Sequence, residues 1–251
     1  MKSIRKFVSS CLMLAAIIGG AQHAEADLID FWSGNGNAND SVGSNSGTWN
    51  GTEQYGASQQ AGAKAFLFDG SSSVQAGSLG LPTGNADRTL NLWFNVATTP
   101  SGDAVYAGYG QFGNINQSFQ LGSNSSIEFF SQWGGSISTP AVANNTWNDL
   151  AVTYSGNTAT LYLNGASVAS GTFNLGTASN TTFVIGMLDP IRALTGLVDD
   201  VGIYDTALSA SEVQALYVSE TLPVPEPSSF SLLCLGFIGL AIGGVIQRRR
   251  G

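Results

Sequence analysis

The sequence feature that most constrains the fold is an alternation of polar and apolar residues that ends in an Asn-Gly pair. Residues 158–163 read Thr-Ala-Thr-Leu-Tyr-Leu, and Asn164-Gly165 follows at once. A period of two is typical of a strand with one buried face. Asn-Gly indicates a two-residue type I′ hairpin, because both turn positions need a positive φ. Residues 167–171 are therefore predicted to return antiparallel to this strand.

The same kind of pattern recurs between residues 27 and 218. Residues 89–96 alternate over most of their length, and glycine and asparagine separate further short apolar segments. These segments are predicted as strands over 64–69, 73–76, 103–109, 117–121, 126–132, 149–154, 181–187 and 196–204. Many short, regularly spaced strands predict an all-β fold, a sandwich of two antiparallel sheets. No Pro/Ser-rich linker interrupts the segment, so residues 27–218 are predicted to form one domain.

One short helix is predicted at the end of this domain. Residues 209–212 read Ser-Ala-Ser-Glu, a capping box in which Ser and Glu satisfy free amides of the first helical turn. Leu208 before the cap and Val213 inside the helix form a hydrophobic staple. Leu216 and Tyr217 extend the apolar face on which the helix is expected to dock against the sandwich.

The N-terminal segment predicts export. Basic residues at positions 2, 5 and 6 precede an apolar run over 7–21, and Ala24 and Ala26 fit the small-residue rule for signal peptidase. Residues 1–26 are therefore predicted to be a signal peptide that signal peptidase removes.

The C-terminal segment, residues 219–251, combines a short linker, a Pro-Glu-Pro triplet, an apolar run over 230–246 and a terminal arginine triplet. A plain tail anchor would also explain the apolar run and the basic end. The ordered combination resembles the PEP-CTERM sorting signal of Gram-negative bacteria. That resemblance implies a transmembrane helix before processing, cleavage by an exosortase, and delivery to the cell envelope, surface or extracellular matrix. The signal residues are Pro225, Glu226, Pro227, Arg248, Arg249 and Arg250.

The composition between the two ends excludes several kinds of site. Both cysteines and the only histidine lie in the terminal segments, at positions 11, 234 and 23. Residues 27–222 therefore lack thiolate nucleophiles, imidazole bases, disulfides and Cys/His zinc ligands. The same residues contain three basic and fifteen acidic side chains, a net charge of −12. Such a surface repels phosphate backbones, so no nucleic acid partner is expected.

Four segments together resemble the laminin G-like members of the concanavalin A-like lectin/glucanase superfamily. The first two are residues 66–70 and 88–94. The third is Trp-Asn-Asp-Leu-Ala-Val-Thr-Tyr over 147–154 together with 161–165, and the fourth is Gly-Leu-Val-Asp-Asp-Val-Gly-Ile-Tyr over 196–204 together with 207–209 and Glu212. The resemblance implies a jelly-roll-like sandwich. It also implies a structural calcium ion between the N-terminal segment and the last strand, where Asp40 and Asp199 are the matching positions. The alternative is that Asp40 caps a turn and Asp199 bonds backbone amides.

Glycan binding is the commonest non-enzymatic role that the resemblance implies. Tyr106, Tyr109, Phe112 and Trp133 are the candidate sugar contacts, because sugar rings stack on aromatic faces. The alternative is that these aromatic side chains belong to the core.

Catalysis is not expected. Glu128 has no acidic residue two or five positions later, and adjacent Asp199 and Asp200 should point to opposite faces of a strand. Residues 108–113 match G-x-G-x-x-G, but no helix pattern follows to bind a phosphate. The sequence therefore favours a non-enzymatic surface protein that binds a polysaccharide or another envelope component. A structural or adhesive coat protein without a small-ligand site and a polysaccharide hydrolase are the alternatives.

Overall fold

The computed structural model describes residues 27–100, 102–131, 133–186 and 192–221, which form a sandwich of two antiparallel sheets. The predicted signal peptide and sorting signal lie outside the described residues. One sheet contains β1 (Leu28–Trp32), β3 (Tyr55–Ala57), β4 (Lys64–Asp69), β6 (Arg88–Asn95), β11 (Asn148–Ser155), β12 (Thr158–Leu163), β13 (Ala166–Thr172) and β15 (Thr195–Tyr204). The other contains β2 (Thr48–Asn50), β5 (Ser73–Ala76), β7 (Ala104–Gly110), β8 (Ser118–Ser123), β9 (Ile127–Ser131), β10 (Gly135–Ser138) and β14 (Phe183–Ile185).

Both sheets pair strands that are far apart in the sequence. The eight-stranded sheet runs β13-β12-β11-β6-β15-β4-β3, and β1 pairs with the second half of β15. The seven-stranded sheet runs β10-β9-β8-β7-β14-β5-β2. The predicted all-β sandwich of two antiparallel sheets is thus confirmed.

The core between the sheets is rich in aromatic rings. Trp32 from β1 stacks on Phe183 from β14, with ring centroids 4.5 Å apart. Arg88 is fully buried in this core, where its guanidinium donates to the carbonyl oxygens of residues 82, 84 and 86 at 2.7–2.9 Å. The guanidinium also lies 5.1 Å from the ring centroid of Phe119, a cation–π contact. The core therefore satisfies a buried cation through backbone carbonyls and aromatic faces.

The predicted hairpin and helix are both present. Asn164 and Gly165 have φ values of 50° and 76°, as a type I′ turn requires, and they connect β12 to β13. Helix α1 (Ala210–Thr221) begins after Ser209, whose amide donates to the Glu212 carboxylate at 2.7 Å. The Glu212 amide donates back to the Ser209 hydroxyl at 3.3 Å, so the capping box is confirmed.

Helix α1 packs on the outer face of the eight-stranded sheet. Leu208 and Val213 are buried together with Ala151 of β11 and Tyr162 of β12. The Tyr217 ring stacks on Trp93 of β6 with centroids 5.7 Å apart. Within the described part of the chain, no helix has the length and apolar character needed to cross a bilayer.

Candidate functional site

Strand β9 divides its side chains between the core and the outer face of the seven-stranded sheet. Ile127 and Phe129 are buried in the core, whereas Glu128 and Phe130 point outward and are half-buried. Phe130 lies opposite Gln120 of β8 and Ser136 of β10. This alternation brings an acidic and an aromatic side chain to the same surface, as the pleat of a strand requires.

A glycine on β8 makes room for the Phe130 ring. Gly122 pairs with Glu128, and a Cβ atom at position 122 would lie 3.0 Å from a ring carbon of Phe130. It would also collide with the backbone carbonyl of Ala104. A side chain at Gly122 would therefore displace the ring, and the glycine lets Phe130 lie close to the sheet.

These residues line an open cavity of about 280 Å³, which we call the β9 pocket. Its lining combines two aromatic side chains, two carboxylates and several neutral polar groups. The lining residues are Asp103, Asn124, Glu128, Phe130, Ser131, Trp133, Gly135 and Ser136. Amides, hydroxyls and carboxylates beside aromatic faces are the groups that hold a small polar ligand in position.

Trp133 is the most exposed large side chain of the β9 pocket. It lies in the turn between β9 and β10, where the Gly134 amide donates to the Ser131 carbonyl at 2.8 Å. Its φ is 56°, in the left-handed region that a bulky side chain rarely adopts, and the side chain is 74% exposed. The fold therefore accepts backbone strain at Trp133 without burying the indole.

The electrostatics of the β9 pocket are acidic. Burial raises the pKa of Glu128, the Asp103 carboxylate raises it further, and a hydrogen bond with Ser136 opposes both effects. Among the described residues that line the pocket there is no lysine, arginine or histidine. Glu128 and Asp103 thus form a carboxylate pair without a basic partner in the lining.

The structure places the four predicted sugar contacts in different environments. Trp133 is exposed in the β9 pocket, and Phe112 is half-buried in the loop after β7, outside the pocket lining. Tyr106 and Tyr109 are fully buried, so the prediction that they contact a glycan is wrong. A register shift between Val105 and Ala107 turns both tyrosine rings toward the core, where a strict alternation would separate them.

Most of the β9 pocket does not follow from sequence patterns. Glu128 has no acidic partner on its own strand, but it shares the pocket with Asp103, which directly precedes β7. Phe130 and Asn124 drew no prediction. The usable signal was the alternation over 127–131 followed by Trp133-Gly134-Gly135, an aromatic residue at a turn position that normally takes Gly or Asn.

Asp40, the first predicted calcium ligand, caps a loop. Its Oδ1 accepts backbone N–H bonds from Phe31, Val42 and Gly43 at 2.9–3.1 Å, and its Oδ2 accepts one from Asn45 at 2.9 Å. Burial alone would raise the pKa of Asp40, but these amides and a hydrogen bond with Asp30 lower it to about 2. The backbone amides therefore occupy oxygen lone pairs that a cation would need.

Asp199, the second predicted ligand, has different neighbours. It is 1% exposed, and burial together with the Asp200 carboxylate raises its pKa to about 8, while a Ser58 hydrogen bond lowers it. Its Oδ1 accepts the Asp200 amide at 3.1 Å. The described residues contain no group of three or more Asp, Glu, His or Cys suited to a metal. Asp40 and Asp199 thus have separate hydrogen-bond partners, and calcium binding by these two residues stays a prediction.

The predicted processing residues lie outside the described part of the chain. These are Ala24 and Ala26 at the signal cleavage site and the Pro-Glu-Pro and arginine triplets of the sorting signal. Residues 223–250 match the PEP-CTERM protein-sorting motif, which confirms the sequence resemblance and implies exosortase processing.

Comparison with solved structures identifies similar folds in binding domains. Domain 4 of AbnA, an extracellular GH43 arabinanase from Geobacillus stearothermophilus solved in complex with arabinotriose, has a TM-score of 0.60 and 23% identity. The match covers 77% of this chain and 99% of that domain. The binding domain of Paraclostridial Mosquitocidal Protein 1 has a TM-score of 0.59 and 18% identity, covering 78% and 52% of the two chains. The Botulinum neurotoxin serotype D binding domain has a TM-score of 0.59 and 15% identity, covering 77% and 51%.

No curated protein matches the chain. Residues 68–214, more than half of the chain, match the family described as the concanavalin A-like lectin/glucanases superfamily. The matched region begins in β4 and ends in helix α1, so it contains most of both sheets and the whole β9 pocket. The chain therefore belongs to the concanavalin A-like lectin/glucanases superfamily and carries a PEP-CTERM protein-sorting motif.

Proposed function

We propose that this protein is an exported cell-surface protein that binds carbohydrate in the β9 pocket. Trp133 carries the proposal: its indole is 74% exposed, at a strained backbone position, on the rim of a cavity with a second aromatic ring. The strained backbone at Trp133 supports a role in ligand contact, because the exposed ring gains no burial energy that would offset the cost of the strain. The pyranose faces of a sugar can stack on the indole, and Asn124 and Ser136 can bond its hydroxyl groups.

The fold comparison supports the same function. Domain 4 of AbnA, with a similar sandwich, was solved with arabinotriose bound. The β9 pocket is open, so a long polysaccharide can pass through it without threading its end. The sorting motif supports a location outside the cell, where such polymers are present.

The proposed role is binding without catalysis. The structure does bring Glu128 and Asp103 to one pocket, and a carboxyl pair is the machinery of glycoside hydrolysis. Glu128 has the raised pKa of a general acid and Asp103 is exposed, so hydrolysis is the alternative that the binding proposal must exclude by experiment. Reducing-end assays on every oligosaccharide that binds would detect hydrolysis. Release of product would show that the protein is a hydrolase and would contradict the proposed non-catalytic role.

A glycan array with the purified protein tests the proposal. The wild-type protein is expected to bind a subset of the glycans, and Trp133→Ala is expected to lose that binding. Leu79→Ala is the matched control, because Leu79 is 75% exposed and lies outside the β9 pocket. Uniformly blank arrays, or equal binding by Trp133→Ala, would favour a structural or adhesive coat protein.

A further inference from the structure

The lining of the β9 pocket carries two carboxylates, Asp103 and Glu128. The Asp103 carboxylate adds to the rise in the pKa of Glu128. The described lining supplies no basic side chain to compensate them. Glu128 is half-buried beside the Phe130 ring, so water screens its charge less than at an open surface.

Aromatic faces next to carboxylates attract cations. The negative face of an indole or phenyl ring stabilises a cation, and more strongly where the ring is shielded from water. Carboxylates add charge-assisted hydrogen bonds to a protonated amine. The same pocket repels uronic acids and sulfated sugars, and the net charge of −12 over residues 27–222 reinforces this repulsion.

We infer that the β9 pocket selects a polysaccharide of cationic amino sugars, holding a protonated 2-amino group between Glu128 and Asp103 while Trp133 stacks on a sugar face. This inference rests on the proposed carbohydrate-binding function and adds the class of sugar. The positive charge of the ligand would neutralise the two carboxylates, for which the described lining provides no basic residue. A face of the sugar ring would stack on the exposed indole of Trp133.

The neutral polar groups favour an amino sugar over a lysine side chain of a partner protein. Asn124, Ser131 and Ser136 line the pocket in addition to the carboxylates. A lysine ammonium on an aliphatic stem presents no hydroxyl groups for them, whereas a sugar ring does. The cavity of about 280 Å³ also exceeds what one ammonium group fills.

Calorimetric titration of the full chain, purified in detergent, tests the inference. The probes are glucosamine, N-acetylglucosamine and galacturonic acid oligomers of equal length. The glucosamine oligomer is expected to bind about tenfold more tightly than the N-acetylated one, since only its amine is charged. The galacturonic acid oligomer is expected not to bind. Higher salt should weaken glucosamine binding and leave N-acetylglucosamine binding unchanged.

Two variants isolate the carboxylates. Glu128→Gln and Asp103→Asn are each expected to remove most of the preference for glucosamine while keeping the weaker binding of the N-acetylated oligomer. Asp103 is exposed, so its replacement leaves the core intact. Glu53→Gln is the matched control, since Glu53 is an exposed carboxylate outside the pocket.

The outcomes distinguish the amino-sugar inference from the proposed carbohydrate binding. Equal affinity for the glucosamine and N-acetylglucosamine oligomers, unaffected by Glu128→Gln, would overturn the amino-sugar inference and leave carbohydrate binding standing. Binding of a lysine-rich peptide that exceeds binding of the glucosamine oligomer would also overturn it. No binding of any sugar by the wild-type protein would overturn the proposed function itself.

Discussion

The indole nitrogen of Trp93 donates a hydrogen bond to the carboxyl group of Glu220, which joins the last turn of helix α1 to the outer face of the eight-stranded sheet. The pKa of Glu220 is raised to about 8, mainly by burial. The carboxyl groups of Asp149, Asp200 and Asp199 add to this rise, whereas the hydrogen bond from Trp93 lowers the pKa. Helix α1 is thus docked over an acidic surface, directly before the matched sorting motif.

We predict that Glu220→Gln stabilises the protein at alkaline pH. Glu220 has a folded-state pKa of about 8, whereas its usual pKa is 4.5. Between these two pH values, the folded chain therefore keeps a proton on Glu220 that the unfolded chain releases. Stability from this group is therefore lost as pH rises from about 5 to 8. Glutamine keeps an acceptor for Trp93 and carries no charge.

Denaturant unfolding at a series of pH values checks this prediction. The variant should match the wild-type protein near pH 5 and exceed its free energy of unfolding by roughly 1–3 kcal/mol near pH 8.5. Glu53→Gln, at an exposed position, should show no such divergence. Parallel pH curves for Glu220→Gln and wild type would show that the Glu220 carboxyl is not buried as described.

We predict that Arg88→Met strongly destabilises the fold. The guanidinium donates to the carbonyl oxygens of Pro82, Gly84 and Ala86 and lies 5.1 Å from the ring centroid of Phe119, so its loss removes three charge-assisted hydrogen bonds and a cation–π contact. The expected cost is about 3 kcal/mol or more, measured by thermal and denaturant unfolding. Lys64→Met removes a positive charge from an exposed position and should change stability by less than about 0.5 kcal/mol. Similar stability of the two variants would contradict the role of Arg88.

We predict that Trp133→Asn improves stability while it removes sugar binding. Asparagine adopts a positive φ more readily than tryptophan, so the substitution should relieve backbone strain at the 56° position by about 1 kcal/mol. Binding should be lost because the indole face is gone. Melting temperature and glycan binding, measured on the same preparation, check both effects. A destabilised variant would mean that the indole contributes to the fold, which would weaken the argument from strain.

We predict that calcium does not change the melting temperature. The Asp40 carboxylate accepts four backbone N–H bonds, and the Asp199 carboxyl group accepts the amide of Asp200. Melting curves with added calcium and with chelator should coincide near neutral pH. A rise in melting temperature with calcium, abolished by Asp199→Asn, would instead support the calcium site that the family resemblance implies.

The sequence predicted the strands that carry a regular alternation or a clear turn. β4, β5 and β12 have the predicted bounds, and the Asn164-Gly165 turn has the predicted geometry. The sequence did not predict β1, β2, β3 and β10; the last three have only three or four residues each, in segments rich in glycine, serine and asparagine. Such strands form because a long-range partner pairs with them, and a local pattern does not reveal that partner.

The candidate site depended on features that sequence periodicity cannot show. The bulge in β7 places both Tyr106 and Tyr109 in the core, because one shift in register exchanges the two faces of a strand and brings two residues of opposite parity to the same side. The pairing of Asp103 with Glu128 joins the start of β7 to β9 across β8, so it follows from the sheet order. Trp133 was identified by residue type alone, and its exposure became clear only from the turn that holds it.

The central claim is that the β9 pocket binds sugar through Trp133, and NMR of the tryptophan indole N–H groups tests it most directly. The chain has five tryptophans, of which Trp32 and Trp93 are buried, and Trp133→Phe assigns the exposed indole. Titration with a glucosamine oligosaccharide should shift the Trp133 indole signal and leave those of Trp32 and Trp93 in place. An unchanged Trp133 signal at saturating oligosaccharide, or shifts confined to the other indoles, would contradict the account.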